Sequence, residues 1–256
     1  MSLFQEFLTT GVFAFMIVFV RFGTAVMLMP GIGDSFVPMN IRLLFALAIS
    51  FVMTPVMQPY VPSPMPAFDQ LMTLLLVEFL TGLFIGTIAR ILMSALDTAG
   101  MLVSMASGIS NAQIFNPAMA MQGSVFGAFM SIMGVTLLLV TDLHHLILMG
   151  LVQSYKMFPI GGVIDTGSMA EFVSRAVSAS FLTAFQIAMP FVIISVVLYI
   201  GMGVLSRLMP QVQIFMIAIP LQIMLALITF ALVLSAMMMF WLSRYEAGMV
   251  YFLSQG

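Results

Sequence analysis

Two long apolar runs set the terms for what this chain can fold into. Residues 71–103 carry charge only at Glu78, Arg90 and Asp97, and Val125–Val140 carries none. A bilayer-crossing helix needs about 20 apolar residues, and the chain supplies enough for roughly five to seven of them. The rest of the sequence agrees, being 62% hydrophobic and 6% charged. A soluble domain carries about 25% charged residues. The expected fold class is therefore all-α, a polytopic helical membrane protein. A net charge of −2 argues against nucleic acid or an anionic membrane surface as a partner. With no cysteine there is neither a disulfide framework nor thiol chemistry. The opening MSLFQEFLTT has no basic n-region and no A-x-A-like site, so the first helix is expected to be retained as its own insertion signal.

Between the two runs lies a segment of different character, residues 104–124, SMASGISNAQIFNPAMAMQGS. It is rich in Ser, Asn and Gln, and Gly108 and the Asn116-Pro117 pair are poor continuations of a helix. Non-helical backbone at membrane depth is tolerated only where protein buries it or it lines a watery cavity. The segment is thus either a loop in water or a re-entrant element inside a pore. It has no charge, and Ile109, Ile114, Phe115, Met119 and Met121 alternate with polar groups such as Ser110, Asn111 and Gln122. An aqueous loop would carry Lys, Glu or Asp, so the composition leans towards the pore element. Methionine is abundant, 28 residues in all. Either the host favours Met over Leu, or a flexible, adaptable surface is needed.

The first span is expected over residues 7–29, with Arg21 inside it and Pro30-Gly31 closing it. A polar loop, GIGDSFVPMNIR, ends at Arg42 and precedes a shorter second helix over 43–57, which is marginal for crossing a bilayer. Residues 58–70 hold Pro59, Pro62, Pro64 and Pro66 and read as a semi-rigid connector. In the third segment, residues 71–96, Glu78, Gly82, Gly86 and Arg90 recur every four residues and wind slowly round one helix face. Gly82 and Gly86 would let another backbone approach closely. Glu78 and Arg90 lie about 18 Å apart along a helix and cannot pair with each other. Each needs another partner, and that face looks at protein or water, not at lipid. The bland reading is structural pairing between helices; the sharper one is contact with a transported species.

Asp142, His144 and His145 suggest a metal site, but adjacent helical residues point about 100° apart and the chain has only these two histidines. A polar helix end is the better account. Glu171 and Arg175 form an i,i+4 pair, and Pro190 should kink the long helix that follows. A hairpin tip at 206–213 carries Arg207, Pro210 and Gln211. Trp241, Tyr245 and Tyr251 suit a membrane interface.

The ordered set of these features resembles FliR, the export-gate subunit of the bacterial flagellar type III secretion apparatus, and its injectisome counterparts. The matching residues are Arg21 with Pro30, Pro38 and Arg42; Glu78 with Gly82 and Gly86; Asp97 with Ala99-Gly100; and Gly108, Ser110, Ala112, Asn116, Pro117 and Gln122. Asp142-Leu143-His144, Gln186 with Pro190, and Leu208 to Gln211 with Phe215 and Pro220 complete the set. Asn116 departs from it, standing where an acidic residue is expected, which removes a charge but not the geometry. The resemblance implies a bacterial inner-membrane subunit of the flagellar basal body, assembled with FliP-like and FliQ-like subunits and meeting FlhB-like and FlhA-like components. It implies a FliP-like part over residues 1–180, a FliQ-like hairpin and tail over 181–256, and several apolar helices sheathed by partner protein above the bilayer. By the same resemblance, 104–124 is the plug that closes the pore before unfolded export substrates pass.

A secondary transporter is the competing class. It would place paired ionisable residues on broken helices in two related halves; Glu78, Arg90 and Pro190 fit in part, but no related halves are visible. An intramembrane hydrolase needs a nucleophile with a base, or two carboxylates, and no such motif is present. The leading expectation is therefore the protein-export gate that the resemblance implies, not an enzyme and without a cofactor. Its lining would be uncharged and adaptable, so that it neither binds nor repels a passing chain, and its idle closure would be apolar.

Overall fold

The computed structural model describes residues 3–62, 66–110, 124–162, 165–209 and 214–254. Among these there is no strand. Apolar runs in lipid must satisfy every backbone group within the segment, which leaves helices as the solution here. They are α1 (Leu3–Leu28), α2 (Met39–Met57), α3 (Phe68–Ala106), α4 (Val125–Val140), α5 (His144–Met157), α6 (Thr166–Leu208) and α7 (Ile214–Ser254), with a 3-10 turn at Gln58–Tyr60. Five described helices are long and apolar enough to cross a membrane, or six if α4 and α5 count as one bent span.

Several boundaries differ from the sequence expectation. Helix α2 begins four residues earlier, at Met39, and has 19 residues. Arg42, which looked like the end of a polar loop, is a helical residue whose guanidinium reaches back to the carbonyls of Val37 (2.8 Å) and Gly33 (3.2 Å). Helix α3 continues past Asp97 to Ala106. Helix α7 continues through the expected tail to Ser254, while Pro190 lies inside the single helix α6 as expected.

The chain forms two compact units. The first comprises Met1–Leu92, Leu138–Ala176 and Glu246–Gly256. Its core includes Phe13, Ile17 and Leu71, with Leu74, Leu75 and Ile160 packed against them. The second comprises Met93–Leu137 and Val177–Tyr245. Leu96, Val103, Met130, Ala188, Trp241 and Tyr245 are among its buried residues. Trp241 and Tyr245 are each 1% exposed, with ring centroids 5.3 Å apart. They are therefore core residues, not the interface anchors that their position near the end of an apolar run suggested; Tyr251 alone of the three is exposed.

Candidate functional site

In the first unit the charged residues within apolar helices find one another. Arg21 of α1 and Glu78 of α3 are both wholly buried. Arg21 Nε donates to Glu78 Oε2 (2.5 Å) and Nη2 to Oε1 (2.8 Å), a two-pronged contact that fixes both planes. Two further donors are also used: Nη1 to the Ser154 hydroxyl (3.0 Å) and Nη2 to the Phe158 carbonyl (2.9 Å). The Tyr155 ring lies 3.9 Å from the guanidinium carbon and covers it. A buried ion pair is tolerated only when its leftover donors and acceptors are satisfied, and α5 supplies Ser154 and Tyr155 for that purpose.

The glycines on the same face explain how α1 comes close enough. A Cβ on Gly82 would collide with the Arg21 carbonyl, and one on Gly86 would sit 2.8 Å from the Leu28 Cβ. Any larger residue would push α3 away from the helix that carries Arg21. Arg90, further along α3, is half-exposed and bonds Asp34 (2.5 Å) in the loop after α1. Asp34 in turn accepts from the Gly31 N–H (2.7 Å). So Glu78 and Arg90 do take separate partners, both within the chain itself.

In the second unit the two ends of the central segment meet. The hydroxyls of Ser104 in α3 and Ser124 just before α4 are 2.6 Å apart, and Ser124 also donates to the Gly100 carbonyl (2.8 Å). The Gly127 N–H donates back to Ser124 Oγ (3.1 Å). A Cβ on Gly100 would collide with the Gly127 backbone, so Gly100 could not carry a side chain without moving α3 from α4, and one on Gly127 would press on the Asp97 carbonyl at 3.1 Å. One turn further on, the Asp97 carboxylate accepts from the Ser131 hydroxyl (2.5 Å), on the exposed side.

Helix α3 ends two residues before Gly108, whose φ of 72° is a left-handed conformation suited to glycine. Ile109 and Ser110 follow, half-buried. Of the remaining plug residues, Asn111, Ile114, Phe115, Asn116, Pro117, Met119, Met121 and Gln122 lie outside the described residues, as do Pro210 and Gln211 of the hairpin tip. Arg207 is described and exposed.

Asp142, His144 and His145 do not point apart as expected: Asp142 lies in the turn before α5 with φ 58°, and one donor atom from each of the three comes within 4.8 Å of the others. What holds them is an exposed contact of 3.6 Å between Asp142 and His145, and His144 Nδ1 against the Leu138 carbonyl (3.3 Å). The residues that sequence reasoning missed are Ser154, Tyr155, Ser124 and Gln222. The first three are ordinary helix or turn residues in sequence, and only the fold brings them to Arg21 and Ser104.

Long apolar helices, with charges neutralised inside the protein, define a polytopic membrane protein. Comparison with known proteins gives the family. The chain belongs to the bacterial export proteins, family 1, matched over residues 12–248. It is 39% identical to the flagellar biosynthetic protein FliR of Caulobacter vibrioides, over 90% of this chain and 92% of that one. With FliR of Aquifex aeolicus the identity is 30%, over 88% and 84%. With the Yop proteins translocation protein T of Yersinia pestis it is 29%, over 64% and 63%. The protein is thus a membrane component of the flagellar and type III export machinery, and not an enzyme.

Proposed function

We propose that this chain is the FliR-type subunit of a FliP–FliQ–FliR export channel in the bacterial inner membrane, and that residues 108–122 form its plug. The observation that carries the proposal is the Ser104–Ser124 contact. It brings the two ends of the central segment together, held by neutral hydrogen bonds between two closely packed helices. Ile109, Ile114, Phe115 and Met119 would supply the apolar closure, and the polar residues between them would face a passing chain.

The Arg21–Glu78 pair favours this over a small-molecule or ion transporter. Its two charges are bound to each other, sealed under Tyr155 and shielded from water, so neither is free to take a translocated ion. The apolar surface supports partners. The membrane-length window in α2 is 11% buried and that in α7 is 17% buried. Those faces would meet FliP-like and FliQ-like subunits or lipid. The division into a FliP-like part, residues 1–180, and a FliQ-like hairpin, 181–256, belongs to the same proposal, with the Arg207–Gln211 tip facing the cytoplasm and FlhB-like and FlhA-like components.

Deleting residues 109–121 tests the reading. Assembly with the partner subunits should survive, and the idle complex in vesicles should conduct ions. A deletion complex as tight as wild type would reduce the segment to an ordinary loop. Thiol labelling of a Gln211→Cys variant should succeed from the cytoplasmic side alone; labelling from the periplasm of intact cells would overturn the tip's placement.

A further inference from the structure

We infer that Gln222 of α7 is a positioning residue that holds the root of the 108–122 segment in place. Its consequence for transport rests on the plug reading above; its geometry does not. Gln222 is 4% exposed, one of the few polar side chains buried in its unit. Its Nε2 donates to the carbonyl of Ala106 (2.7 Å), across 116 residues of sequence. Ala106 is the last residue of α3, and the final carbonyls of a helix have no partner within it. Gln222 therefore satisfies a carbonyl with no other partner among the described residues, at the point where the helix gives way to the segment.

The other side of the same amide meets Gly108. A Cβ there would lie 3.2 Å from Gln222 Oε1, so the turn residue packs directly on the side chain that holds the helix end. A cavity of about 10 Å³ adjoins the pair, lined by Ser107, Phe191, Ser195 and Ala226 among others. The amide is thus seated in an almost closed site, where loss of its donor cannot be repaired by bulk water. Moving the segment's root away from α7 has to break the hydrogen bond to Ala106. A shift of α7 would pull on the root in return. A neutral amide suits the role, since a charge there would have to be neutralised in apolar surroundings.

The test uses the complete chain in its assembled complex. Gln222→Met keeps the length of the side chain and removes the donor. Two quantities are read: amide hydrogen exchange at residues 107–110, and ion conductance per complex in vesicles with no export substrate present. Exchange at 107–110 should accelerate about tenfold, the order of one net hydrogen bond, while residues 85–96 stay unchanged. Idle conductance per complex should rise, a readout that a merely structural role, which lowers the amount of complex, would not move. Should Gln222→Met fail to assemble, Gln222→Leu removes the same donor in a more compact side chain and gives the same readouts.

Unchanged exchange at 107–110 overturns the inference. So does faster exchange without added conductance, provided the 109–121 deletion does leak. If the deletion complex is itself tight, the plug reading falls, and the exchange measurement alone decides whether Gln222 positions this turn.

Discussion

Glutamine in place of Glu78 isolates the charge of the buried pair from its shape. Both side chains are wholly buried, and Arg21 gives two of its four hydrogen bonds to the Glu78 carboxylate. A glutamine amide keeps one acceptor oxygen and turns the other into a donor that faces a donor. The guanidinium then stays buried with the Ser154 hydroxyl, the Phe158 carbonyl and the Tyr155 ring, none of which carries charge. Breaking a buried pair by removing one partner costs about 3–5 kcal/mol, a large part of the ~5–15 kcal/mol that holds a typical domain together. The assay is the thermal midpoint and the yield of the complex in mild detergent. Glu78→Gln should lower both sharply. Arg21→Met with Glu78→Met removes both charges and should cost less than Glu78→Gln alone, because no uncompensated ion remains. Strictly additive single effects would refute the pairing argument. So would a Glu78→Gln complex that melts like wild type but exports nothing, since Glu78 would then act on the substrate.

Three further outcomes follow from the same geometry. Gly82→Val should cost about 1–3 kcal/mol by forcing α3 off the Arg21 backbone, read as a lower midpoint. A variant as stable as wild type would mean that α1 and α3 do not touch there. Arg90→Gln should cost under ~1 kcal/mol, because its Asp34 pair is half in solvent; a loss as large as that of Glu78→Gln would contradict the exposure. Asp165, at the start of α6, has its carboxyl held below its ordinary value of 3.8 by the Ser168 hydroxyl and by the N–H groups of Ser168 and Gly167. A lowered carboxylate stabilises above the unfolded value and loses that contribution as pH falls through the folded one. Amide protection at Gly167 and Ser168 should therefore hold from neutral pH down to about 3.8 and drop only below it, with the drop absent in Asp165→Asn.

The helical class and the small-residue face of α3 were legible because each depends on local spacing. Gly82 and Gly86 fall a helical turn apart, and the close approach they permit needs no knowledge of which helix comes near. The partners were not legible. Glu78 and Arg21 are 57 residues apart, and the sequence says only that each charge needs compensation. Arg42 misled for a related reason: a charge beside an apolar run looks like a loop residue, yet its side chain turns back from inside α2 to the loop carbonyls. Trp241 and Tyr245 misled in the opposite sense. Aromatics near the end of an apolar run look like interface anchors, but α7 does not end there, and small residues make room for them; a Cβ on Gly134 would come within 3.4 Å of the Trp241 ring. The break at Gly108 was readable from its residue type. That residues 104 and 124 meet was not, because two serines in a polar segment carry no sign of their pairing.

The two units handle polarity in opposite ways, and the contrast bears on function. Where a full charge is buried, as at Arg21 and Glu78, it is matched by another and closed over by an aromatic ring. Where the chain leaves its helix for the central segment, the contacts are neutral: Ser104 with Ser124, Ser124 with Gly100, Gln222 with Ala106. The passage for unfolded chains proposed above would be poorly served by a fixed charge, which would retain substrates of opposite sign and exclude those of its own. On the same proposal it would be equally poorly served by a root that cannot let go, because each opening would separate groups and each closing would rejoin them. Neutral hydrogen bonds, each worth about 0.5–1.5 kcal/mol net, lie in the range where a small number can hold a segment shut and still be broken by a modest load. A buried ion pair at the same place would hold harder and leave an uncompensated charge whenever it opened.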